Sequence, residues 1–221
     1  WIIGDDDYLY PNAIAEVLKF INENHEAIVV NYSLIRDDVK VDRVIREKNN
    51  LKLNSVEEVI QKIGLPMNFL SCTIHNRRTF LSVDSSHLMK SFWLQLGIFL
   101  EESKKGTIKY IADPLIVNAG SSIDTEVNKK DNAIFVMKSF FIVSSKYLLD
   151  NKTKKAFLKY SFIHVLRKVY IAKRTGYSFR TEDLNFFLEW YKGIPLHYFL
   201  IFILFSINNS FLRFFYEFSK K

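Results

Sequence analysis

The segment Trp1-Ile2-Ile3-Gly4-Asp5-Asp6-Asp7-Tyr8-Leu9-Tyr10-Pro11-Asn12 constrains this chain most. An apolar run enters three consecutive aspartates, and a proline with a helix-like pattern leaves them. The order reads as a buried strand that delivers carboxylates to a loop at its C-terminal end, with a helix following near residues 12–24. Hard divalent cations take such oxygen ligands. A cation so held can bind the phosphates of a nucleotide and stabilise a departing diphosphate. A solvated acidic surface loop is the plainer alternative. A calcium loop is set aside: Asp5, Asp7 and Glu16 fall at the first, third and twelfth places of an EF-hand, but its fifth and sixth places hold Leu9 and Tyr10, where the sixth needs a glycine.

The pattern apolar-apolar-Gly-Asp-Asp-Asp-x-Leu-x-Pro-x-Ala, continuing into Val17 and Leu18, resembles the metal-binding segment of family 2 glycosyltransferases of the GT-A fold. It is most similar to the branch with abequosyltransferase-like enzymes of bacterial surface polysaccharides. Two further blocks lie in the family's order. Asn68 to Arg77 resembles the branch's central strand below the acceptor site, and Tyr110 to Val117 resembles its late edge strand ending in a proline. The resemblance implies Mg2+ or Mn2+ bridging the diphosphate of a nucleotide-sugar donor. Aligned on Pro11, the last aspartate of the family's Asp-x-Asp falls on Asp6, Asp7 matches the acidic residue that often follows, and the first aspartate falls on Gly4. Asp5 stands beside that departure and can compensate for it.

The implied fold is α/β: a partial GT-A mixed sheet with flanking helices over residues 1–148, then a helical basic and aromatic extension over 149–221. Family members begin with a Rossmann-like half that holds the nucleotide. This chain opens in mid-strand without a methionine or a Gly-rich nucleotide loop. It therefore reads as the C-terminal part of a longer enzyme or as a truncated product.

An inverting transferase needs a base at the acceptor hydroxyl. The resemblance places that role after the central strand block, where Asp84 and His87 stand in Ser82-Val83-Asp84-Ser85-Ser86-His87-Leu88. Both are equally suited to cap a helix. Arg77, with Arg78, is a candidate to face the donor phosphates. His25, His75 and His197 read as structural. No His/Cys cluster has zinc spacing.

Hydrophobic residues make up 48% of the chain and charged residues 25%, which excludes a disordered polyelectrolyte. The single cysteine, Cys72, rules out an internal disulfide, fits a reducing compartment and lies in an apolar stretch that predicts burial. The net charge of +7 is uneven. Lys152, Lys154, Lys155, Lys159, Arg167, Lys168, Lys173, Arg174 and Arg180 alternate with Phe157, Ile163, Leu166, Val169 and Tyr170 at helical spacing. Such a helix suits an anionic membrane, a nucleic acid or a polyanion, or simply presents a solvated basic face. No nucleic-acid motif is present. Ile194 to Phe205 is nearly all apolar but short of the roughly 20 residues a membrane span needs. With Phe211 to Tyr216 and Lys220-Lys221 it predicts a helix lying in the membrane interface, or a buried helical hairpin.

Elsewhere, Ala27 to Leu34 predicts a strand with Asn31 at its middle. Arg36 to Asn54 reads as a charged variable loop with no clear core. Ser55-Val56-Glu57-Glu58 is a capping box for a short helix that Gly64 and Pro66 stop. Ser86 to Glu102 has helical spacing. Ile134 to Val143 reads as an apolar strand, and its place after the polar stretch Gly120 to Asn132 suggests a hairpin-like edge or a lid. Thr181-Glu182-Asp183 opens a helix that runs through Trp190 to a stop at Gly193 and Pro195. The function implied is metal-dependent sugar transfer from a nucleoside-diphosphate sugar to a lipid-linked or polysaccharide acceptor. The expected location is cytoplasmic, peripheral at the inner face of the cell membrane. A non-catalytic, membrane-associated interaction module is the rival reading.

Overall fold

The computed structural model describes residues 1–36, 39–88, 93–119, 132–148, 150–174, 177 and 179–207. The chain divides into two compact units: residues 1–122 with 143–149, and residues 123–142 with 150–221. The second unit thus begins earlier than the predicted 148/149 boundary and takes in most of one helix that precedes it.

The first unit is built on a mixed six-stranded sheet. Its strands are β1 (Asp7–Leu9), β2 (Ala27–Arg36), β3 (Val39–Val41), β4 (Leu51–Leu53), β5 (Thr73–His75) and β6 (Ile108–Asn118). The two long strands, β2 and β6, run parallel at its centre, from Ala27 opposite Ile108 to Leu34 opposite Asn118. Their hydrophobic runs are buried, as parallel strands require. The short strands finish the edges, all antiparallel: β1 and β4 on β6, β5 and β3 on β2. The Tyr110 to Val117 block is therefore central, where the resemblance implies an edge. The strand expected near Asn68 to Arg77 is a three-residue edge piece.

Asn31 breaks the β2–β6 register. Its buried side chain donates to the carbonyls of Ile45 (2.8 Å) and Ala112 (3.1 Å) and to the Tyr110 hydroxyl (3.0 Å), and accepts from the N–H groups of Tyr32 and Ile45 (both 2.9 Å). A buried amide needs such partners. These bonds pull Ile45 into the core, where it is fully buried. The charged stretch from Arg36 to Asn54 is thus not coreless. It contributes β3, β4 and one apolar anchor, which its composition concealed.

Helices α1 (Ala13–Leu18), α2 (Val56–Lys62), α3 (Arg77–Leu81) and α4 (Leu94–Lys105) complete this unit. The Ser55 hydroxyl caps α2 by accepting from the Glu58 N–H at 3.2 Å, and Gly64 follows with φ of 66°. The predicted helix over 86–102 is divided: a 3-10 turn spans Ser86–Leu88, α4 starts at Leu94, and Met89 and Phe92 lie outside the described residues. On α1, Ala13 and Val17 are buried, while Ile14, Leu18 and Ile21 beyond it are exposed.

The second unit is helical: most of α5 (Asn132–Ser145), with α6 (Asn151–Arg174), α7 (Thr181–Tyr191) and α8 (Pro195–Ser206). The run from Ile134 to Val143 is helix, not strand. An apolar segment of this length has no periodicity to decide between the two. Its environment decides: Phe140 stacks on Phe157 at 5.4 Å, and Phe141 meets Phe157, Phe187 and Trp190 edge-on. On α6, Phe157, Phe162, Val165 and Val169 are buried, whereas Ile163 faces solvent. Asp183 accepts from the Arg180 N–H at 3.0 Å, capping α7 as Thr181-Glu182-Asp183 predicts. Gly120 to Asp131 and Asn208 to Lys221 lie outside the described residues.

Candidate functional site

Three separate blocks of sequence meet at the acidic triplet. Residues 1–4 form no strand, and Ile2 and Ile3 are exposed. This corrects the expected order: Asp5 and Asp6 stand before β1 and Asp7 opens it, so the carboxylates do not follow a buried strand. The Asp7 N–H donates to the Gly4 carbonyl at 3.2 Å, so Gly4 to Asp7 is a turn. Ser71, fully buried, holds it. Its Oγ accepts from the Gly4 N–H at 2.8 Å and donates to Asp7 Oδ2, and its carbonyl accepts from Trp1 Nε1 at 2.7 Å. A Cβ on Gly4 would lie 2.7 Å from Asp7 Oδ2, so a side chain there would collide with the carboxylate.

β1 then pairs Asp7 with Asn118 and Leu9 with Ile116. The turn therefore sits at the carboxyl end of β6 and of its parallel partner β2. In open α/β sheets, ligands bind outside the carboxyl ends of the strands. Asp5 and Asp6 are exposed, and neither carboxylate has a donor or cation against it among the described residues. Asp7 is partly buried. Burial holds its carboxyl above the ordinary range, the Ser71 hydrogen bond opposes that, and the charges of Asp6 and Asp5 add to it.

Among the described residues, no group of three His, Cys, Asp or Glu side chains is arranged to hold a metal ion. The donor chemistry still fits Mg2+, which is commonly held by one or two carboxylates, with phosphates and waters filling the shell. Asp5 and Asp6 have the free oxygens for this, and one Asp7 oxygen is committed to Ser71.

The other predicted residues lie elsewhere. His75 pairs with Ala27 at the amino end of β2, and Arg77 follows two residues later. Asp7 is level with Leu34, through Asn118. From Ala27 to Leu34 at roughly 3.3 Å per residue is about 23 Å. Arg77 is thus at the opposite end of the sheet from the triplet, and one diphosphate does not join them. Asp84 accepts from the Ser86 N–H at 3.0 Å, as a turn cap. Its neighbour Ser82 accepts from Lys105 Nζ, at the end of α4 that leads into the start of β6. Asp84 therefore belongs to the amino end as well. The side chain of His87 lies outside the described residues.

That amino end holds an arrangement sequence reading missed. His75 Nδ1 lies 2.6 Å from Oε2 of Glu102, a fully buried carboxyl on α4. Among the described residues, Glu102 Oε1 has no hydrogen-bond partner. Burial pushes this carboxyl above its ordinary range, against the His75 hydrogen bond. The only signal in the sequence was a glutamate on the apolar side of a helix beside Phe99 and Leu100. His25 is satisfied on both sides, by Thr107 Oγ1 and Glu23 Oε2 at 2.9 Å each. His197 stacks on Phe162 at 3.8 Å, as a structural histidine does. Cys72 is buried, and burial pushes its thiol up to about 12, so it is no nucleophile.

Compared with known proteins, the chain matches no family model and no curated protein.

Proposed function

We propose that this chain serves metal-dependent sugar transfer, with the acidic turn as the place where a divalent cation meets the diphosphate of a nucleotide-sugar. One observation carries the reading. Asp5 and Asp6 present carboxylates without a partner among the described residues, in a turn at the carboxyl end of the parallel strands β2 and β6. Mg2+ or Mn2+ bound there would neutralise charge on the departing diphosphate. Asp7, tied to Ser71, shapes the turn and adds negative charge. The acceptor in this reading is a lipid-linked or polysaccharide hydroxyl. The catalytic base is not assigned to Asp84, which stands at the other end of the sheet.

The test is donor turnover: release of nucleoside diphosphate from nucleotide-sugars with Mn2+. Asp6→Ala is expected to abolish turnover while the circular dichroism spectrum is unchanged. Full activity in that variant removes the metal site from this account.

We place the protein at a membrane surface as part of the same reading. What supports it is α8, on which Leu196, Phe199 and Phe202 are among the exposed apolar residues. Among the described residues no helix is long and apolar enough to cross a membrane. A helix with apolar residues on its open side suits the interface plane.

A further inference from the structure

At the amino end of the sheet a cleft of about 240 Å³ lies between the α1–β2 connection and β5. Its apolar wall includes Phe20, Ile21, Ile28 and Ile74, and its polar groups include His75 and Arg77. The acidic turn takes no part in it. We infer that this cleft is a binding site for a small monocarboxylate with an apolar body, gripped by the Arg77 guanidinium and by Nε2–H of His75.

Three observations lead there. Arg77 is exposed, and among the described residues nothing pairs with its guanidinium. A guanidinium offers a planar fork matched to a carboxylate. Secondly, the His75–Glu102 contact fixes the imidazole. His75 lines the cleft, Nδ1 is committed to Glu102, and the remaining ring nitrogen, Nε2, has no protein partner among the described residues. Glu102 is fully buried, with Oε1 unpartnered among the described residues, so an uncompensated charge on the pair would be costly. The pair is free of net charge either as carboxylate with imidazolium or as carboxylic acid with imidazole. Both arrangements carry a hydrogen on Nε2. Thirdly, the local charge selects the ligand. Glu23, paired with His25 and Lys109, and Glu26, which accepts from Thr79 Oγ1, stand nearby. Two cations, Arg77 and the Lys109 that lies over the Phe20 ring, stand against these two carboxylates, so the cleft carries no large excess of positive charge and favours a monoanion over a phosphate dianion. The cleft is smaller than the roughly 300–1,000 Å³ of drug-sized sites, and its walls are apolar.

The experiment is an NMR titration of the intact chain that follows the imidazole nitrogens of His75, with phenylacetate as probe and inorganic phosphate as the competing arm. Phenylacetate is expected to shift the Nε2 resonance saturably in the millimolar range. Arg77→Gln, at an exposed unpaired position, is expected to weaken binding roughly tenfold, the size of a lost charge-assisted pair. Glu102→Gln keeps the shape but frees the ring to change tautomer, and is expected to alter the Nδ1 and Nε2 shifts and weaken binding. Absence of a saturable shift, unchanged affinity in Arg77→Gln, or a shift produced by phosphate and not by phenylacetate overturns the proposal. The readout does not involve a metal, so this result stands or falls apart from the acidic turn.

Discussion

Ser71 Oγ donates to Asp7 Oδ2 while accepting from the Gly4 N–H at 2.8 Å, so one buried hydroxyl fixes both ends of the acidic turn. Removing it leaves two polar groups without their partner. Ser71→Ala is expected to cost about 1–3 kcal/mol in denaturant unfolding. It is also expected to weaken metal binding, because the turn loses its anchor.

Asn31 makes five hydrogen bonds through one buried amide. Asn31→Ala is expected to cost about 3 kcal/mol or more, as loss of a buried network does. The measurement is the denaturant midpoint, with an unchanged slope showing that the unfolded state is the same.

Gly97 on α4 faces Leu88. A Cβ there would lie 2.6 Å from Leu88 Cδ1 and 2.7 Å from Cδ2, and Leu88 is fully buried. Gly97→Ala is expected to destabilise by about 1–3 kcal/mol through overpacking. Adding Leu88→Val is expected to recover part of that loss, which thermal unfolding of the single and double variants measures.

Asp7 and Glu102 both sit above the ordinary carboxyl range, each chiefly through burial. Between the ordinary and the raised values the folded chain binds more protons than the unfolded one. Stability therefore falls as pH rises through that interval. Asp7→Asn and Glu102→Gln are each expected to flatten the fall in unfolding free energy measured across the acid-to-neutral range. A steeper fall in either variant contradicts the assignment.

On α8, Leu196 and Phe199 are 66% and 59% exposed. Replacing both with glutamate is expected to leave the fold intact and to abolish flotation with anionic vesicles. Flotation equal to that of the unaltered chain contradicts the membrane reading.

Local signals carried much of the fold. Ser55 before Glu58, Asp183 before an apolar run, and the β-branched run around Asn31 each name their own structure, because the interactions are short-range in sequence. The run from Ile134 to Val143 did not, since a mostly apolar segment, broken only by Lys138 and Ser139, takes its form from its neighbours, here the rings of Phe157, Phe187 and Trp190. Ile45 was hidden for a similar reason: Asn31, from a distant strand, draws it into the core. At the candidate site, the chemistry of Asp5, Asp6 and Asp7 was legible. Their anchor, Ser71, and their distance from Arg77 and Asp84 were not, because strand pairing sets both. His75 and Glu102 meet only when β5 and α4 fold together.

The central claim is that the acidic turn holds a divalent cation for a diphosphate. Its most direct test is Mn2+ binding followed by water-proton relaxation, with and without UDP or ADP, in the unaltered chain and in the Asp5→Asn, Asp6→Asn double variant. The account predicts Mn2+ binding that the diphosphate strengthens and that the double variant loses without unfolding. Equal Mn2+ binding in both proteins, or none in the unaltered chain with diphosphate present, would contradict it.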